Sequence, residues 1–281
     1  MDREGFRTML HDRQVPEDQI EQQVALAERF EASAGDPPTP DDVAAFSARL
    51  VDEGLNTWDN FVTLARYGAF TGNDPVYVAV LELIDGSEAL DGLYEKLGRA
   101  VGEEMRDRVF AGIDVPPLGT PSSEKPRVTQ AVMERLERLV DPDTCHQLLS
   151  SGLRHLEDAW YLEERAKYAA SGGIDAYLER KGRDLIAELE RLRDEGGLYF
   201  TQPVTDQVID FVARHPEIRQ GVREGNVLYE AKIPYMTVEY LAAEDERLKR
   251  YYYCHCPWVR ESLKTGDVTV SPAFCLCSAG F

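Results

Sequence analysis

Tyr251-Tyr252-Tyr253-Cys254-His255-Cys256-Pro257-Trp258-Val259-Arg260 is the stretch on which the fold assignment turns, and Phe274-Cys275-Leu276-Cys277-Ser278-Ala279-Gly280-Phe281 answers it. Four of the five cysteines stand in these two patches as C-x-C, eighteen residues, C-x-C. Side chains on a strand alternate faces, so a strand here would turn Cys254, Cys256 and Tyr252 one way and Tyr251, Tyr253 and His255 the other. The same alternation aligns Cys275 with Cys277. Paired side by side, two such strands gather four thiols on one face of a small sheet. The expectation is a C-terminal α/β or α+β module built on a cysteine-bearing sheet.

Upstream the pattern changes. Val15-Pro16-Glu17-Asp18 opens a segment with Ile20, Val24, Ala27 and Phe30 on one stripe, closed by Gly35. Thr39-Pro40-Asp41-Asp42 is a helix cap with proline in the first turn, followed by Val43, Phe46 and Leu50 and stopped by Gly54. Asn73-Asp74-Pro75 repeats the device before Val76 to Ile84, which Asp85-Gly86 ends. Further helices are predicted over Ser87–Ala111 with a break near Gly92, Arg127–Val140, Cys145–Ser171 and Ile174–Glu195. The loop Pro116-Pro117-Leu118-Gly119-Thr120-Pro121 could divide two helical halves.

Gly196-Gly197 breaks the last of these helices, and composition shifts at Leu198-Tyr199-Phe200. A short helix over Val204–His215, a strand over Val227–Tyr235 and a helix over Met236–Arg250 then lead into the tyrosine run. The fold class is therefore mostly α: a helical N-terminal bundle over 1–196, with a subdivision near 115–123, and a small α/β module over 197–281.

The chain has 281 residues, 43% of them apolar, enough for one large or two ordinary domains. No run approaches the eighteen apolar residues of a membrane span, and Met1-Asp2-Arg3-Glu4-Gly5 is no export signal, so a cytoplasmic protein is expected. The formal charge is −20. Residues 225–281 hold six Lys/Arg against seven Asp/Glu, so nearly all of that charge lies upstream. An acidic body repels a phosphate backbone, which excludes nucleic acid and anionic membrane as natural partners. Five cysteines in such a chain do not make a disulfide scaffold; the thiols should be free, metal-bound or redox-active.

Two chemistries suit the doubled cysteines. In the first, Cys256 precedes Pro257 at a strand-to-helix turn, where unpaired helix amides would lower its pKa and supply thiolate for attack on an electrophilic carbon. Glu261, Lys232, Tyr235, Tyr252 and Trp258 are then the candidates to orient a small-molecule substrate. In the second, Cys254, Cys256, Cys275 and Cys277 ligate Zn2+ or an iron–sulfur cluster as a sensor or carrier. Alternate Cα atoms on a strand sit about 6.6 Å apart, wide for tetrahedral ligation, so C-x-C is a weaker signature than C-x2-C. A third reading, four small apolar residues in a core, fits free cysteine in general but not two matched pairs. For Cys145, alone on a helical segment, a core position is the expectation, and for His255 a structural place against Tyr251 and Tyr253.

At these residues the chain resembles known families. Cys256-Pro257-Trp258-Val259-Arg260-Glu261-Ser262, followed by Phe274-Cys275-Leu276-Cys277, is similar to the C-terminal part of the L-2-amino-thiazoline-4-carboxylate hydrolase family. Over its length the chain also resembles a family marked by Lys232-Ile233-Pro234-Tyr235 and by both cysteine stretches, which carries no implied activity. The hydrolase resemblance implies cleavage of a small ring or amide-like carbon–nitrogen bond, with Cys256 and Cys275 or Cys277 at the site. The doubled cysteines, the long helical region and the end at Ala279-Gly280-Phe281 depart from that family, which continues with a helix and a strand. A truncated, incomplete site is the corresponding expectation.

Overall fold

The computed structural model describes residues 1–151 and 158–278, side chains at 158–160 and 277–278 excepted. The chain is mostly helical, with two antiparallel two-stranded hairpins in its C-terminal part. It divides into two compact units, one of Met1–Arg154 with Cys256–Phe281, the other of His155–His255. The division expected at residue 196 is therefore displaced to two places.

The first unit begins with α1 (Arg3–Asp12), α2 (Glu17–Ser33), α3 (Pro40–Asp52), α4 (Trp58–Phe70) and α5 (Asp74–Ile84); all but α2, which follows Pro16, start where a short polar side chain satisfies a first-turn amide. Thr39 and Asp42 form a reciprocal capping box, and Thr57 and Asn73 accept from Asn60 and Val76. The apolar stripes close on one core, in which Phe30 stands edge-on to Phe46 at 5.3 Å and to Tyr67 at 5.4 Å.

Next come α6 (Ala89–Val101) and α7 (Glu103–Phe110), then α8 (Lys125–Leu139) and α9 (Pro142–Ser150). The break expected at Gly92 lies at Gly102 instead, whose φ of +91° only glycine adopts without strain. The proline-rich loop does not separate two halves. The Ser47 hydroxyl and the Asn56 amide donate to the carbonyls of Gly119 and Leu118 at 2.7 and 3.0 Å, pinning the loop to α3 and the turn before α4. A side chain at Gly119 would meet the Phe61 ring 2.4 Å away. Helices α6 to α9 share a second apolar cluster with Trp258, Val259 and Phe274.

The second unit holds α10 (Asp158–Ala170), the long α11 (Ile174–Glu195), α12 (Asp206–Arg214), α13 (Pro216–Arg219), α14 (Thr237–Ala242) and α15 (Glu246–Tyr253). Its hairpins are β1 (Leu198–Tyr199) with β2 (Gln202–Pro203) and β3 (Val222–Glu224) with β4 (Val227–Tyr229). Its apolar cluster is smaller, formed by Leu189, Val204, Ile209, Val212, Ile218 and Ile233. Buried Gln202 fastens the 234–237 segment, donating to the Pro234 carbonyl at 2.7 Å and accepting from the Thr237 amide at 2.8 Å.

The cysteine stretch corrects the opening reading. Asp245 caps α15 by accepting from the Arg247 and Leu248 amides, and the helix runs through all three tyrosines to Tyr253. Cys254 to Cys256 are irregular, α16 (Arg260–Thr265) begins four residues beyond Cys256, and Cys275 lies on a 3-10 helix over Pro272–Ser278. Neither hairpin carries a cysteine. No helix among the described residues is long and apolar enough to cross a membrane.

Candidate functional site

Cys256 stands at the head of a turn whose every neighbour is tied down. Its carbonyl accepts from the amides of Val259 at 3.2 Å and Arg260 at 2.8 Å, which bends the chain through Pro257 into α16. Trp258, 1% exposed, donates from Nε1 to the Gly86 carbonyl at 2.7 Å, just past the end of α5. Arg260, also buried, donates from Nη2 to Oε1 of Glu82 at 2.7 Å. The Thr129 hydroxyl lies within hydrogen-bond reach of the carbonyls of Trp258 (3.0 Å) and Lys125 (3.2 Å). The sulfur-bearing residue remains half-buried, packed against the second apolar cluster.

Lys125 shares this place. It opens α8, is 2% exposed, and donates from Nζ to the Leu83 carbonyl at 3.1 Å, in the last turn of α5, where carbonyls and helix dipole favour a cation. Its ammonium lies 5.4 Å from the Trp258 ring centroid, within cation–π range. Burial pulls its pKa down to about 8, against the opposing pull of Asp85, Cys256 and Glu82. Buried lysine near Cys256 has no local sequence signal; the one hint is Glu82 and Asp85 closing an otherwise apolar helix.

The other thiols differ. Cys145 is in the core, as expected: its S–H lies 3.6 Å from the carbonyls of Leu136 and Val140, and burial, with Asp141 and Glu137, pushes its pKa up. Cys275 is exposed, between buried Phe274 and half-buried Leu276. Cys254 caps the C-terminus of α15 in the second unit, so the first C-x-C pair is divided between the units. Among the described residues no group of three or more His, Cys, Asp or Glu could hold a metal ion, and the Cys277 side chain lies outside them.

The expected substrate-orienting residues are divided between the two units. Lys232, exposed, and Tyr235 and Tyr252 belong to the second unit, where the Tyr252 carbonyl accepts from the Met236 amide at 2.9 Å. Trp258 is an anchor of the turn rather than a binding surface. Glu261 is half-buried on the first turn of α16. That helix starts too late for its amides to face the Cys256 sulfur as a first-turn group, so the expected helix-amide stabilisation of a thiolate is not what the turn offers. His255 is structural but with other partners: its Nε2 pairs with the Ile233 carbonyl at 2.7 Å, and its ring meets Tyr235 and Phe200 edge-on. No family model, curated protein or solved structure matches the chain.

Proposed function

We propose that this protein is a cysteine-dependent hydrolase-like enzyme acting on a small carbon–nitrogen or ring substrate, with Cys256 as its nucleophile. One observation carries the reading: the Cys256 turn is fastened at Trp258 and Arg260 while the thiol stays half-buried at the cluster's edge. A nucleophile gains most when its backbone is held by partners that do not react. The thiolate attacks the electrophilic carbon, the carbon–nitrogen bond breaks as the nitrogen takes a proton, and water releases the resulting thioester. Cys275 and Glu261, each on a short helix of the same unit, are the further candidates for that chemistry.

The test is brief iodoacetamide treatment at neutral pH with peptide mapping, followed by assay of small cyclic and acyclic carbon–nitrogen compounds. Cys256 should label first and Cys145 last, and Cys256→Ser should abolish turnover with melting unchanged. Slow, even labelling of every thiol would sink the reading. Elemental analysis of the same sample decides the thiolate-metal alternative, which predicts near-stoichiometric metal and a chelator-sensitive fold.

A further inference from the structure

A lysine withdrawn from water is costly unless its cation is matched, and chains seldom retain one where a methionine would fill the same space. Lys125 is such a residue, and its surroundings are built. The ammonium lies against the Trp258 ring, the Leu83 carbonyl accepts one hydrogen bond from it, and Thr129, one turn along α8, reaches the carbonyl of Trp258 two residues from Cys256. Three groups pull on the ammonium electrostatically, Asp85 most, then the Cys256 thiol and Glu82, and Cys256 stands two residues from the Trp258 ring against which the ammonium lies. Glu82 is also engaged by Arg260, at 2.7 Å.

The geometry points to Lys125 as the positioning residue of Cys256: a buried cation, locked between Leu83 and Trp258, that keeps the neighbouring sulfur charged and ready to attack. This rests on Cys256 being the nucleophile and adds what sets its reactivity. Lys125 touches no substrate in this role. Asp85 opposes it, since a carboxylate beside the same ammonium competes with the thiolate for that charge.

The experiment follows iodoacetamide incorporation at Cys256 across the neutral and alkaline range in wild type, Lys125→Met, Lys125→Arg and Asp85→Asn, after chelator treatment of each sample. In Lys125→Met labelling at neutral pH should slow about tenfold, with the rate profile displaced to higher pH, as expected on losing one close opposite charge. Lys125→Arg should restore most of the rate. Asp85→Asn should displace the profile the other way. A Lys125→Met profile superimposed on wild type overturns the inference, as does Lys125→Arg behaving like Lys125→Met, which would mark a packing role alone. Should Lys125→Met fail to fold, as circular dichroism would reveal, Asp85→Asn decides: a shift to lower pH supports the inference and an unchanged profile overturns it. Failure of every compound to turn over would instead remove the hydrolase reading while leaving these shifts in place.

Discussion

Cys145 and Cys256 lie on two sides of one apolar cluster, and the chemistry of the two sides is opposite. Around Cys145 burial, Asp141 and Glu137 push the thiol pKa up, and the Leu136 and Val140 carbonyls lie 3.6 Å from its sulfur. Around Cys256 the same cluster contains a lysine cation and an indole, and the sulfur stays half-buried. Burial raises the Cys145 thiol pKa, and Lys125 is the group proposed to oppose that effect at Cys256.

The contrast can be broken at its anchors. Trp258→Ala should be the most damaging change, costing about 3–5 kcal/mol because it removes a buried indole and leaves the Gly86 carbonyl bare. Denaturant unfolding would measure it, and a loss under about 1 kcal/mol would show that the turn is not held there. The next effect is one of pH. The Lys125 pKa lies near 8 in the folded chain against an ordinary 10.5, so the unfolded chain binds more protons between those values. Its contribution is present above 10.5 and lost as pH falls through 8. Wild type should accordingly gain on the order of 2–3 kcal/mol relative to Lys125→Met as pH rises through that window. Above pH 10 both proteins should lose stability alike, since Tyr67 and Tyr177, each held up at about 12, lose their contribution there and leave the difference between the two proteins untouched. Parallel unfolding curves for the two proteins from 8 to 10.5 would remove Lys125 from the account.

Smaller effects sharpen the picture. Thr129→Val should cost about 1 kcal/mol, the loss of one buried hydrogen bond to a carbonyl, and should loosen Cys256 labelling from its wild-type rate. Cys145→Ala should also cost about 1 kcal/mol of stability, yet leave labelling of Cys256 unchanged. If it changes that rate, the two sides of the cluster are not independent.

The helical bundle was legible because its punctuation is local. Thr39-Pro40-Asp41-Asp42 and Asn73-Asp74-Pro75 name their own helix starts, and Ile174–Glu195 is a helix over the very residues its pattern marks. The tyrosine run misled because aromatic alternation over a few residues has no period long enough to choose between strand and helix. The choice was made six residues earlier, by Asp245 capping α15. The site was half legible. Cys256-Pro257-Trp258 does form a turn into a helix, but Lys125, Glu82 and Asp85 come to it from far along the chain, and no spacing rule connects them.

The first unit is interrupted by the whole of the second, and this orders its biogenesis. The indole of Trp258 and the carbonyl of Gly86 are separated by 172 positions. On the ribosome, the slot between α5 and α8 must wait while about a hundred intervening residues are polymerised, at roughly 5–20 per second. Until the Cys-Pro-Trp turn arrives, the apolar residues of α6 to α9 lack the Trp258 side chain that completes their cluster, the kind of exposed surface for which chaperones exist.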